Sequence, residues 1–255
     1  MKQRKLTLHV GLPKTATTTL QTHVFPQVPG YIGKTKTDLS PAAAEPNRRF
    51  REVFNHHVQG GSPWSAPLAP LLDALDDLGE LDVLASNEAL SSWPVDDRGT
   101  RWPFLDLWHR RSRVRPHPLT ELIAALQIEA NGRYNVRIIL TLRSQSEFMG
   151  SLYAQLESVM RRPGQRDFEA KVEELMRHND PFFDYAALVA ELTEAVGEDD
   201  VLVLLHEDGL EHNVGRIAEF IGASLGTTET MRENVKREGS HSWRNAWVVG
   251  PVAKR

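Results

Sequence analysis

The chain is 255 residues long, with 40% hydrophobic and 25% charged residues. That composition is globular, sufficient for one large α/β domain with a true core and short for two, and it excludes wholesale disorder. The net charge of -4 excludes a nucleic-acid binder driven by bulk positive charge, and the lack of cysteine excludes a disulfide scaffold, thiol catalysis, Cys-ligated zinc and iron–sulfur clusters.

Leu6, Leu8 and Val10 alternate with Thr7 and His9 before Gly11 and Pro13 stop the run, which predicts a strand and then a loop. Lys2, Arg4 and Lys5 ahead of it imitate a signal peptide, but the apolar stretch is too short and no small-residue cleavage site follows. From Lys14 the spacing turns helical, with Leu20 and Val24 four apart, and Pro26 ends it. A short strand is expected at Tyr31–Ile32. Residues 41–70 are rich in Pro, Ala and Gly, with one helical patch near Arg48–Val58. A helix follows at Leu68–Leu78, then a strand through Leu81, Val83, Leu84 and Ala85 that runs into Ser86-Asn87-Glu88.

Residues 91–118 hold Trp93, Trp102 and Trp108 among arginines and prolines, which reads as a long structured loop or lid. Leu119–Ala130 is helical, ending at Asn131-Gly132. Val136–Leu142 is nearly continuous in apolar residues, as in a strand buried on both faces. A helix follows at once, with Ser144 and Glu147 at capping-box spacing and Phe148, Leu152, Leu156 and Val159 facing inward. Helices at Asp167–Arg177 and Asp184–Val196, a strand at Val201–Leu205 and a helix at Asn213–Ile221 complete the series.

Strands alternating with helices predict an α/β fold of three α/β/α layers around a central, mainly parallel sheet, in one domain over 1–255. Ligands bind such sheets at the carboxyl ends of the strands. That puts Gly11–Thr19, Ser86–Glu88 and Arg143–Ser151 at one edge. No run approaches the roughly 20 apolar residues of a membrane span.

In the first loop, Gly11 allows a sharp turn, and the N–H groups of the following helix start favour an anion. Lys14 adds a charge, and Thr15, Thr17, Thr18 and Thr19 add hydroxyl donors, a set suited to a phosphate or sulfate. It is not a Walker A loop, because no second glycine precedes the lysine. Arg143, at the end of its strand, has Ser151 eight residues on, and the pair suits a second phosphate.

Together these segments, Lys14-Thr15-Ala16-Thr17-Thr18-Thr19-Leu20-Gln21 and Leu140-Thr141-Leu142-Arg143 through Gly150-Ser151-Leu152-Tyr153, resemble the PAPS-dependent sulfotransferase family, its bacterial members above all. The resemblance implies a P-loop NTPase-like fold, while the lack of cysteine suits a reducing cytoplasm, although a cysteine-free protein could also be exported. The resemblance implies that Gly11, Lys14, Thr15, Ala16, Thr17, Thr18 and Thr19 hold the 5′-phosphosulfate, and that Arg143 and Ser151 hold the 3′-phosphate. Ala16 stands where the family has glycine; the position is expected to be helical already, where alanine is harmless. Residues 34–118 match loosely and are expected to recognise the acceptor, a carbohydrate or small metabolite. The tail 232–255 is similar to the family's cofactor lid through Lys236, Arg237 and Trp243, with Glu238 in place of a glycine.

The implied reaction moves a sulfuryl group from PAPS to a hydroxyl or amine and releases PAP. Lys14 would neutralise the leaving oxygen, and no metal or nucleic acid is called for. Glu88 is the first choice of base, then His57 and His56, then Asp38, while His9 reads as structural. Arg110, Arg111, Arg113 and Arg115 read as a solvated face, with an anionic acceptor site as the alternative. Two other functions fit the pattern less well. A kinase or NTPase on the same fold needs a Walker A loop and an acid where Arg143 stands, and a non-catalytic PAP binder would not need Lys14. The oligomeric state leaves no mark on the sequence.

Overall fold

The computed structural model describes residues 3–12, 15–33, 41–58, 62, 64, 66–91, 117–156, 164–177 and 184–226. Its centre is β1 (Arg4–His9), whose alternating residues are buried on both sides, so that it requires a strand on each edge and a layer on each face. β2 (Tyr31–Gly33), β3 (Val83–Ser86), β4 (Tyr134–Leu142) and β5 (Val201–Leu205) complete a sheet of order β2-β3-β1-β4-β5 in which every pairing is parallel. The register sets His9 opposite Ser86 on one side and Ile139 on the other.

Leu6, Leu8, Val83, Ala85, Ile138 and Leu140 point into one core. It is closed by α2 (Pro41–Val58), α3 (Leu68–Asp76), α4 (Pro118–Glu129), α5 (Gln145–Leu156), α6 (Gln165–Arg177) and α7 (Tyr185–Val196). Leu84, Ile139, Leu202 and Leu204 point to the other face, which is covered by Leu20, Val24 and Phe25 and by α8 (Leu210–Ile221). The period of two along the strands thus separates two cores, and the architecture is the expected α/β fold with helices on both sides of a parallel sheet.

Two segments differ from the sequence reading. α2 begins at Pro41, well before Arg48. Proline is favourable in the first helical turn, and Pro46 forfeits one hydrogen bond close to that end. The buried Asn47 then fixes α2 to the sheet by accepting the Gly33 N–H at 2.9 Å. The first helix is broken up: α1 (Thr17–Thr19) widens into a π-helical turn, Leu20–Val24, and tightens into a 3-10 turn, Phe25–Gln27. On α5, Phe148, Met149 and Tyr153 are buried; the side chains of Leu152 and Leu156, and Val159 itself, lie outside the described residues.

Gly30 is where β2 and β3 approach most closely. A Cβ there would stand 2.1 Å from the carbonyl oxygen of Asp82, and backbone cannot yield as a flexible side chain can. Gly30→Ala should cost about 1–3 kcal/mol, the range for overpacking. A lower urea midpoint at unchanged m would show it, and an unchanged midpoint would mean this approach is not as tight as drawn.

Candidate functional site

Past His9 the chain stays beside β4. The Val10 N–H donates to Ile139 O and the Leu12 N–H to Thr141 O, each at 2.9 Å, so the loop leaves the sheet only after Leu12. The Thr15 hydroxyl then donates back to the Leu12 carbonyl at 2.5 Å. Space at Gly11 is tight: a Cβ would lie 3.1 Å from Thr15 Oγ1, 3.1 Å from Thr17 Cγ2 and 3.2 Å from His9 Nε2, so those side chains would have to give by a few tenths of an ångström.

Ala16 is not helical, contrary to the sequence expectation. Its φ of 61° and ψ of 20° are left-handed, and among the described residues it is the one non-glycine with positive φ. The loop has to reverse from strand to helix here, and the left-handed residue makes that turn. Ala16 therefore adopts a backbone conformation that glycine takes without strain, at a cost of about 1–2 kcal/mol. The helix begins only at Thr17. Its first turn holds the buried Thr17 and Thr19 with the half-buried Thr18 between them, and the Leu20 N–H returns to the Ala16 carbonyl at 3.1 Å.

Beyond β3 the Asn87 N–H donates to His9 O at 3.1 Å, which keeps the chain against β1 for one more residue. The next residue, Glu88, thereby reaches the loop, where the Thr17 hydroxyl donates to its carboxylate. Glu88 opens a 3-10 turn, Glu88–Ser91. Under that turn the buried His57 places Nε2 3.2 Å from the Leu90 carbonyl. Burial lowers the His57 pKa, the Leu90 carbonyl opposes that, and the charge of His56 adds to it, so the ring is neutral near pH 7. His56 has its own carbonyl partner, Ser62, at 2.9 Å.

Beneath the loop lies a polar cluster inside an apolar sheet. His9 is fully buried, with Nδ1 2.9 Å from Ser86 Oγ and Nε2 3.3 Å from Thr141 Oγ1. Gln21 donates from Nε2 to the same Ser86 Oγ at 3.0 Å. Ser86 Oγ thus joins the Gln21 amide to one ring nitrogen of His9, while the other ring nitrogen faces Thr141. The ring stands edge-on to Phe25, centroids 4.9 Å apart. Burial pushes its pKa down to about 3, so it is neutral at working pH. The sequence carries a signal for this cluster: polar residues at the carboxyl ends of three otherwise apolar strands.

At the end of β4, Arg143 Nη2 lies 2.9 Å from Glu147 Oε2. The capping-box expectation fails in its pairing. The Ser144 N–H, which a box would give to Glu147, donates instead to Glu207 Oε1 at 2.8 Å from the turn after β5. Burial raises the Glu207 pKa, but bonds from the Ser144 N–H, its own N–H and the Ser144 hydroxyl outweigh that and hold it below the usual carboxylate range. Next to it, burial and then the Arg143 charge lower the His206 pKa against the opposing pull of Glu207 and Glu147. Ser151 is half-buried two turns along α5. Tyr153 ties α5 to α6, its hydroxyl donating to Asp167 at 2.6 Å and accepting the Gly164 N–H at 3.0 Å.

The structure therefore gathers Gly11, Thr15, Ala16, Thr17, Thr18, Thr19 and Glu88 on one edge, with Arg143 at the neighbouring strand end, Ser151 two turns along the helix that follows it, and His57 beneath the Glu88 turn. Lys14, Asp38, Lys236, Arg237, the arginines of 110–115 and Trp243 lie outside the described residues. Among the described residues no three His, Asp or Glu side chains stand together as a metal site, and no helix is long and apolar enough to cross a membrane.

A family model described as "Sulfotransferase domain" matches residues 7–250 of the chain. Among solved structures the chain is similar to a sulfotransferase from Alicyclobacillus acidocaldarius, at 17% identity and a TM-score of 0.48, over 92% of this chain and 88% of that one. No curated protein matches significantly.

The buried imidazole gives the fold an acid sensitivity of known sign. Unfolded, His9 takes up a proton near pH 6.5; folded, only near pH 3, so the unfolded chain binds more protons in between. The contribution is complete above pH 6.5 and is lost as pH falls toward 3, at a limiting slope of about 1.4 kcal/mol per pH unit. His57 and His206, whose pKa values are also lowered, act in the same direction. Urea unfolding at pH 7, 6 and 5 should show a shallower pH slope in His9→Asn than in the parent, and identical slopes would contradict the burial argument.

Proposed function

Because the chain belongs to the sulfotransferase family, we propose that it moves a sulfuryl group from PAPS to a hydroxyl or amine, releasing PAP. The acceptor we propose is a carbohydrate or a small metabolite. The observation that supports this most is the contact of Glu88 with Thr17, a carboxylate held against the hydroxyl-rich loop. A base and an anion cradle are the two things sulfuryl transfer to a hydroxyl requires.

In this reading the hydroxyls of Thr15, Thr17, Thr18 and Thr19 and the loop N–H groups orient the phosphosulfate, with Gly11 and Ala16 shaping the turn. Glu88 takes the acceptor proton as the acceptor oxygen or nitrogen bonds to sulfur. The bond from sulfur to the bridging oxygen breaks, its electron pair stays on PAP, and Lys14 neutralises that charge. Arg143 and Ser151 hold the 3′-phosphate, and Lys236 and Arg237 in the tail 232–255 cover it. His57 acts through the Leu90 carbonyl by holding the Glu88 turn, and residues 34–118 supply the acceptor side of a single domain. A cysteine-free chain fits work in a reducing cytoplasm.

Two variants test the roles. Arg143→Ala should weaken PAP binding by about 1.5–3 kcal/mol, roughly ten- to a hundredfold in Kd by calorimetry, as for a lost charge-assisted hydrogen bond. An unchanged Kd would refute the phosphate role. Glu88→Gln should lower turnover about 10²–10⁴-fold with PAP affinity nearly intact. Retained turnover would move the base role to His57, His56 or Asp38. Binding of Mg·ATP without any binding of PAP would remove the donor assignment altogether.

A further inference from the structure

We propose that Glu147 is a built-in competitor for the donor's 3′-phosphate, weakening nucleotide binding at Arg143 so that PAP can leave; this rests on the reading of Arg143 given above. The geometry is a 2.9 Å ion pair between a well-covered guanidinium and an exposed carboxylate, with 18% and 62% of the side chains accessible. Arg143 follows the last residue of β4 and is mostly covered, whereas Glu147 stands exposed on the first turn of α5. A phosphate reaching Arg143 has to displace that carboxylate or settle beside it.

Either route costs affinity. Displacement breaks a charge-assisted hydrogen bond, and coexistence sets a dianion next to a monoanion. Glu207 does not relieve this, since its carboxylate is engaged by the Ser144 N–H. A dianionic phosphate wins over one carboxylate at a guanidinium, but by less than it would against water.

A weaker hold has a use at this position. The 3′-phosphate belongs to donor and product alike and takes no part in bond breaking. Affinity gained there is uniform: it stabilises ground state, transition state and product equally, and beyond saturation it only slows release. Glu147 removes part of that uniform term without touching the reacting atoms.

The test is calorimetry with PAP and with adenosine 5′-monophosphate, which lacks the 3′-phosphate, plus stopped-flow dissociation of PAP. In Glu147→Gln the PAP Kd should fall about three- to tenfold, as expected for removing an exposed competing charge. Dissociation should slow by a similar factor, and the monophosphate Kd should stay within about twofold. Glu147→Ala should tighten PAP equally, which separates loss of the acid from any new bond made by glutamine. Damage to the fold cannot tighten binding, so the direction alone discriminates. Unchanged or weaker PAP binding in Glu147→Gln, with Arg143→Ala still impaired, would overturn the competitor role and leave the phosphate site standing. Equal tightening of both nucleotides would also overturn it, because the effect would then be general charge. An Arg143→Ala variant that binds PAP normally would overturn both readings together.

Discussion

One imidazole joins the three strands that deliver the site. His9 on β1 bonds Ser86 on β3 and Thr141 on β4, all of them buried. Each residue is the last or nearly the last of its strand, and each strand then leads into one part of the site: the threonine loop, Glu88 and Arg143. Parallel pairing alone fixes the strands laterally. The shared ring fixes how far each runs before it turns, because a slip would leave buried donors and acceptors unsatisfied at about 1–3 kcal/mol each. Gln21 and Phe25 close the same cluster from the helical segment, so the loop is anchored at both of its ends.

Ala16 is the local consequence of that anchoring. Leu12 is bonded to β4, Thr15 back to Leu12 and Thr17 to Glu88, and the reversal between Thr15 and Thr17 is made by a left-handed residue although it is not glycine. The Thr15, Thr17 and Leu20 hydrogen bonds offset the strain at Ala16. Strain over-determined by its surroundings is typical of binding loops. It is informative here because every other positive φ among the described residues belongs to a glycine outside this loop.

What was legible in the sequence follows from the range of the physics involved. Alternation in β1 and the nearly continuous apolar run of β4 report burial directly, so the sheet and its layers are legible. The prolines of α2 look like breakers unless their distance from the helix start is known, so the sequence predicts a shorter helix than the one that forms. Glu88 was legible as a carboxylate after a strand, but its contact with Thr17 depends on β3 lying beside β1. The Glu207 bond to Ser144 was not legible at all. Its acceptor comes from 63 residues away and its donor is a backbone N–H, which leaves no side-chain pattern, while Glu147 at capping-box spacing offered a local and incorrect partner.

The same range argument bears on charge. A net charge of -4 describes the whole chain, but an anionic ligand responds to what lies within about one Debye length, roughly 8–10 Å. Within that distance the described edge is a balance, not a plain basic patch: neutral hydroxyls from the loop, one carboxylate at Thr17, and Arg143 offset by Glu147 beside Glu207. A site that only had to bind a polyanion would have no reason to hold acids against its hydroxyls and its arginine. One that has to take a proton from an acceptor and let an anionic product go has a reason for each. In the proposed reading Glu88 would serve the first need, and the carboxylate opposite Arg143 the second.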